Sequence, residues 1–144
     1  MDEIRQPRIE LVYSILCDDV RLEVGNKLTL VGVFHAIYVP HVPVTVLKFA
    51  VLNHWRGEGQ YLSEVRILSP ERSQAIVASH PTSFHIPPDG YADNVTVFAN
   101  VTFPVAGDYI VQTLVNSMLF AEQRLPVGVL PSEPMDRITS DRIH

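Results

Sequence analysis

Cysteine is almost absent from this chain, because Cys17 is the only one in 144 residues. A single cysteine cannot form an intramolecular disulfide, which excludes a small disulfide-stabilised secreted domain. The sequence also lacks a glycine-rich phosphate loop, a dinucleotide-binding fingerprint and the Gly-x-Ser-x-Gly motif of serine hydrolases. These absences predict a cytosolic protein that is not an enzyme and that binds no cofactor.

Long apolar runs and positive charge are scarce as well. The longest apolar stretch, residues 42–52, is interrupted by Pro43, Thr45 and Lys48 and is shorter than the roughly 20 residues of a membrane-spanning helix. The first eight residues contain no apolar segment of a signal peptide. The 11 Lys and Arg residues are outnumbered by 16 Asp and Glu, and they form no stripe that could neutralise a phosphate backbone. We therefore expect neither a membrane nor a nucleic acid among the partners.

What the sequence does contain is alternation of apolar and polar residues with period two, which predicts an all-β domain. The predicted strands are residues 9–17, 27–34, 45–55, 60–68, 74–79, 94–103, 108–115 and 118–127. Pro40 and Pro43 make residues 35–44 an edge or a crossover connection. About eight strands are not stable as one flat sheet with a bare face, so we expect a two-sheet antiparallel β-sandwich. The domain is predicted to cover residues 1–127, and a tail rich in proline and charge to cover residues 128–144.

Turn-forming residues divide the predicted strands. Residues 56–59, with two glycines, predict a four-residue hairpin loop, and Asn116-Ser117 predicts a tight two-residue hairpin. Residues 18–26 break the alternation and are expected to form a loop that holds a short helical turn. Residues 80–93 contain Pro81, Pro87 and Gly90, and they are also expected to form a loop.

The segment Phe103-Pro104-Val105-Ala106-Gly107-Asp108-Tyr109 resembles the turn into the penultimate strand of immunoglobulin-like sandwiches. In those domains a corner tyrosine buries its ring and bonds its hydroxyl to nearby backbone. The resemblance implies that Tyr109 has this role at the start of the seventh strand. It also implies an immunoglobulin-like Greek key.

Residues 14–23, residues 26–34 and the Gly107-Asp108-Tyr109 hairpin together resemble a family of small bacterial all-β proteins with no assigned function. The resemblance covers about residues 9–127. It implies a bacterial origin and a compact single domain, and it implies no functional site.

Polar residues give one cluster near the first strand. Asp18, Asp19 and Glu23 could hold Ca²⁺ or act as acid and base if distant carboxylates joined them, but their spacing matches no EF-hand. The favoured interpretation is that Asp18 or Asp19 accepts backbone N–H bonds in the following turn. No two of the six histidines have the spacing of paired metal ligands, and the aspartates beside Cys17 should raise its pKa.

The last strands contain apolar residues that point away from the core if the alternation is regular. This candidate interface consists of Phe98, Ile110, Leu114, Met118 and Phe120. Because a soluble monomer seldom exposes a large apolar patch, residues 35–44, the tail or a partner should cover it. The simplest partner is a second copy in a two-fold homodimer.

We therefore expect a non-catalytic cytosolic module that binds another protein or itself. A first alternative is a domain that binds a small molecule or carbohydrate on Trp55, Tyr61 or Tyr91 as a stacking platform. A second alternative is an enzyme whose site is assembled from loop carboxylates.

Overall fold

A computed structural model describes residues 8–131 of the chain. The all-β prediction is confirmed, since 79% of these residues lie in strands and none lies in a helix. The strands are β1 (Ile9–Glu23), β2 (Lys27–Phe34), β3 (Ile37–Val39), β4 (Val44–Leu68), β5 (Ala75–Ala78), β6 (Thr82–Phe103), β7 (Gly107–Val115) and β8 (Met118–Val129).

The strands form one hydrogen-bonded mixed sheet instead of the two separate antiparallel sheets that we expected. Its strand order is β2-β1-β4-β7-β8-β3, and both β5 and β6 also pair with β4. The pairs are antiparallel except for β3, which runs parallel to β8. The sheet is continuous because β4, with 25 residues, has β1 and β6 as neighbours in its first part and β7 in its last part.

The predicted hairpin at residues 56–59 is wrong, since β4 runs through it without reversing. Gly57 and Gly59 have φ values of 144° and 118°, which a glycine adopts without the steric cost of a side chain. The register with β6 shifts between them, and β6 pairs with β4 on both sides of the shift. The two glycines therefore bend a continuous strand, and the segment predicted as the loop 80–93 becomes its partner.

The first predicted loop is also strand. Residues 18–23 continue β1 because β2 pairs with them, from Asp19 opposite Val31 to Glu23 opposite Lys27. By contrast, the tight hairpin at Asn116-Ser117 is confirmed, and both residues have the positive φ that such a turn requires.

The end of β8 lies beyond residue 127. Gly128 and Val129 belong to β8 and pair with β3, and Leu130 donates its N–H to the carbonyl of Val39. The remainder of the predicted tail, residues 132–144, lies outside the described residues.

The main core cluster joins the two ends of β4. Phe49 and Val51 from its first part share this cluster with Val65 and Ile67 from its last part, so both halves of the sheet contribute to one core. A second, mostly aromatic cluster lies near the bend of β4. It contains Trp55, Tyr61, Phe84, Ile86 and Val115.

Candidate functional site

The half of the sheet formed by β2, β1, β4 and β6 has an apolar surface opposite the core. Its register places Val33, Cys17, Ala50 and Val97 side by side in one row across the four strands. We call this surface the outer face, and it consists of Ile15, Cys17, Val31, Val33, Ala50, Leu52, Val95 and Val97.

Four valines of the outer face remain in contact with solvent. Val33 and Val97 are 51% and 55% exposed, and Val31 and Val95 are 39% and 40% exposed. Cys17, Ala50 and Leu52, which lie between them on β1 and β4, are buried. The valines therefore form two exposed pairs, on β2 and on β6, with the buried residues of β1 and β4 between them. Exposed apolar side chains grouped in this way are typical of a surface that meets a partner.

The outer face ends at a free sheet edge. Among the described residues, the part of β6 from Gly90 to Phe103 pairs only with β4, so its other edge presents unpaired backbone N–H and C=O groups. A groove of about 390 Å³ runs along this edge between β6 and the segment that follows β5, with Val77 and His80 on one wall and Val97 on the other.

At one end of the outer face, three rings form a row across β1, β4 and β6. His54 stacks between Tyr13 and Tyr91, with ring-centroid distances of 4.7 Å and 5.1 Å. The His54 Nδ1 atom lies 2.5 Å from Asp93 Oδ1. In the next row Arg56 donates through Nε to Glu10 at 3.0 Å. The cation closest to the aromatic row is therefore already paired with a carboxylate.

Asp18 and Asp19 lie at the other end of the outer face, and their side chains point to opposite sides of the sheet. Asp19 accepts hydrogen bonds from Lys48 Nζ and the Val20 N–H, each at 3.0 Å, and the bond from Lys48 lowers the pKa of the Asp19 carboxyl. Asp18 lies against Gly32 on the other side of the sheet. Glu23 is exposed at the end of β1.

These carboxylates do not converge on one site. In the part of the chain that the structure describes, no three His, Cys, Asp or Glu side chains are grouped as metal ligands. Burial raises the pKa of the Cys17 thiol, and the charges of Asp18 and Asp19 raise it further, although a backbone hydrogen bond opposes them. The thiol is therefore protonated at neutral pH and is a poor nucleophile.

The candidate interface from the sequence does not lie on one surface. Phe98 and Leu114 are buried at 4% and 7% exposure, and Ile110 is half-buried, whereas Met118 and Phe120 are exposed. Phe120 packs edge-on against Trp55 with centroids 5.4 Å apart. Assigning Phe98 and Leu114 to an exposed face is therefore a wrong prediction.

Two irregularities explain this error. Asn100 has a φ of 55°, and the inward side of β6 changes there from Phe98 to Val101. The second irregularity is a shift of register between Thr113 and Leu114, where β7 pairs with β8. The sequence contained one signal of the first irregularity, because Phe98 is the apolar residue that interrupts the polar side of an otherwise regular strand.

Two of the three proposed stacking platforms are inaccessible. Trp55 and Tyr61 belong to the second core cluster, and they are 0% and 6% exposed. Tyr91 is 55% exposed and lies in the aromatic row of the outer face.

The fold and this surface define a class: an all-β domain with one open apolar sheet face. The sequence profile of DUF6941, a family of unknown function, matches residues 12–128, and the chain belongs to this family. The resemblance to a family with no assigned function is thereby confirmed. No curated protein matches the sequence.

Solved structures share the fold. One is the alkylpurine DNA glycosylase AlkC of Pseudomonas fluorescens, bound to DNA that contains an abasic site analogue. It is 7% identical, with a TM-score of 0.55, over 85% of this chain and 31% of that chain. This chain therefore spans about a third of the glycosylase chain, and the likeness is one of fold alone.

The exclusion of nucleic acid from the partners is overturned by this comparison. It was drawn from the low content of Lys and Arg, yet a chain with this fold occurs bound to DNA. Net charge and the lack of a basic stripe are therefore not sufficient grounds for the exclusion. As for the membrane, no helix in residues 8–131 is long and apolar enough to span one.

Proposed function

We propose that this chain is a non-catalytic cytosolic interaction module that binds another protein or itself through the outer face. The observation that carries the proposal is the set of four exposed valines, Val33 and Val97 among them, on a sheet surface whose centre, at Cys17 and Ala50, is apolar. Covering such side chains removes apolar surface from water and favours association. The buried, unpaired Cys17 is in keeping with a reducing compartment.

The partner that this surface fits best is a second copy of the chain. Residues 94–103 of β6 carry no charged side chain, so two such edges can approach without like-charge repulsion. Antiparallel pairing of β6 with its own copy about a two-fold axis would satisfy the free backbone groups, with the partner strand entering the groove whose other wall holds Val77 and His80. It also brings Val95 and Val97 of the two copies next to each other.

We also propose that the folded sheet is an immunoglobulin-like sandwich. The two halves of the sheet meet in one core cluster, in which Val51 and Val65 come from opposite ends of β4. Tyr109, buried at the start of β7 and bonded to Val105, supports this interpretation.

Self-association is tested by light scattering during size-exclusion chromatography, with Val97→Asp as the variant. The control is Val105→Asp, because Val105 is 48% exposed and lies in the turn before β7, away from the outer face. We expect a dimer for the wild type and for Val105→Asp, and a folded monomer for Val97→Asp. A wild type that stays monomeric at about 100 μM, which excludes dimers of micromolar Kd, contradicts the proposal.

A second candidate is a nucleic acid, which the DNA-bound structural neighbour and the aromatic row favour. Unpaired bases stack on exposed aromatic side chains, and Tyr91 offers such a surface. The test is fluorescence anisotropy with single-stranded and double-stranded oligonucleotides at low salt. Binding that Tyr91→Ala weakens would support this candidate, and its absence with both probes would eliminate it.

A further inference from the structure

A cavity of about 310 Å³ opens at the end of the main core, and Val33 of the outer face is among its lining residues. We call it the end cavity. Phe34, Ile37, Val46 and Phe49 supply apolar walls, and the carboxylate of Asp18 is the charged group in its lining. Each of the four apolar residues belongs to the main core cluster or packs against it, so the walls are held by the core.

The position of the Asp18 carboxylate depends on the glycine opposite it. Gly32 has a φ of 68°, and a Cβ built on it would lie 2.2 Å from Asp18 Oδ2. Any larger residue at position 32 would therefore displace the carboxylate from the cavity. Asp18 and Gly32 can approach each other because β1 and β2 are paired here, with Cys17 opposite Val33.

The two neighbouring aspartates differ in their partners. Asp19 lies on the outer side of the sheet, with Lys48 at 3.0 Å and Arg21 at 3.6 Å. For Asp18, no Lys, Arg or His within residues 8–131 comes within 4.0 Å. The cavity thus has one carboxylate in its lining, which is exposed to solvent, and the described residues supply no counterion for it.

We propose that the end cavity binds an aliphatic chain that ends in an ammonium group, of the length of a lysine side chain. The apolar walls would contact the methylene groups, and Asp18 would accept the N–H bonds of the ammonium group. Asp18 and Gly32 lie on the side of the sheet opposite the outer face, because successive residues of a strand point to opposite sides, and Val33 is the lining residue that the two surfaces share. Binding in the cavity does not require the proposed self-association.

The proposal is tested by titrating the ¹⁵N-labelled protein with n-butylammonium and with n-butanol, and following the amide signals of Gly32 and Ala36, which both line the end cavity. The two probes share an alkyl chain, so the difference between their affinities measures the contribution of the charge. We expect n-butylammonium to bind more tightly by about 1.4- to fivefold, the range for one exposed ion pair. The preference should diminish as salt is added.

Two matched variants identify the carboxylate responsible. Asp18→Asn should abolish the preference for n-butylammonium and leave the affinity for n-butanol unchanged. Asp19→Asn removes the same charge on the other side of β1 and should preserve the preference. Equal affinity of the two probes for the wild type, equal losses in the two variants, or no shift with either probe would each overturn the proposal. Unchanged signals outside the cavity show that a variant is folded.

The ammonium group could come from a lysine side chain of a protein or from a free alkylamine. Titration with Nα-acetyl-lysine N-methylamide distinguishes these sources. An affinity equal to that of n-butylammonium supports a protein lysine, whereas binding of n-butylammonium alone supports a free amine.

Discussion

The hydroxyl of Tyr109 is bonded twice to the backbone of Val105. It donates to the Val105 carbonyl at 2.7 Å and accepts from the Val105 N–H at 3.3 Å. The ring itself is fully buried and meets Phe103 edge-on with centroids 5.0 Å apart. These contacts fix the turn between β6 and β7 to the core. The prediction that Tyr109 is a structural residue at the start of the seventh strand is confirmed.

The first prediction separates the two roles of this side chain. Tyr109→Phe removes the hydroxyl bonds and should lower the free energy of unfolding by about 0.5–1.5 kcal/mol. Tyr109→Ala also leaves a cavity among large side chains, and its loss should be about 3–5 kcal/mol. Urea denaturation measures both variants. Equal losses in the two variants would show that the ring adds nothing beyond its hydroxyl.

The second prediction concerns the bend of β4. A Cβ on Gly57 would lie 1.8 Å from the carbonyl oxygen of Arg8, which accepts the N–H of Glu58 at 2.9 Å. Gly57→Ala should therefore strain the backbone, break this bond and cost about 2–4 kcal/mol. Gly25→Ala is the control, since Gly25 also has positive φ but nothing within 4 Å of its Cβ position, and should cost about 1–2 kcal/mol. A Gly57→Ala variant as stable as this control would show that the close approach is not essential.

The third prediction distinguishes Phe120, which contacts the second core cluster through Trp55, from Met118, which lies at the surface. Phe120 packs against the Trp55 ring, whereas Met118 is 71% exposed. Phe120→Ala should destabilise the protein by about 1–3 kcal/mol, and Met118→Ala should change its stability by less than about 0.5 kcal/mol. Thermal denaturation at several protein concentrations is the measurement. A concentration-dependent loss in Phe120→Ala would instead place Phe120 in an interface.

The fourth prediction is a pH dependence at Glu122. Its carboxylate accepts bonds from Arg72 at 2.9 Å and 3.0 Å and from Gln112 at 2.6 Å, and these contacts lower its pKa, with Arg72 the main cause. Because the folded pKa lies below the unfolded pKa, the stabilisation is complete above the unfolded pKa. It is lost as the pH falls through the folded pKa.

Thermal denaturation of Glu122→Gln against pH tests this dependence. The variant should have a lower Tm than the wild type at neutral pH, and the difference should vanish in acid. Glu23→Gln, at an exposed carboxylate, is the control and should have nearly the wild-type Tm throughout. A Tm difference for Glu122→Gln that does not change with pH would contradict the assignment.

The secondary structure was predictable wherever pattern and turn chemistry are local. β2 and the start of β8 lie where the alternation places them, and the Asn116-Ser117 turn has the predicted positive φ values. The corner role of Tyr109 followed from seven adjacent residues. The candidate site was harder to predict from the sequence. Placing Asp18 and Asp19 required the knowledge that β1 continues past Cys17 and pairs with β2.

The sequence by itself determined that this protein is all-β, because the period of apolar residues is a local property that fixes which side chains share a side of a strand. Only the tertiary structure decided the path of β4 and the identity of the outer face. Glycines at positions 57 and 59 allow either a reversal or a bend, and pairing with the distant β6 selects the bend. A single left-handed residue, Asn100, exchanges the two sides of β6, so Val95 and Val97 lie outside while Phe98 lies in the core.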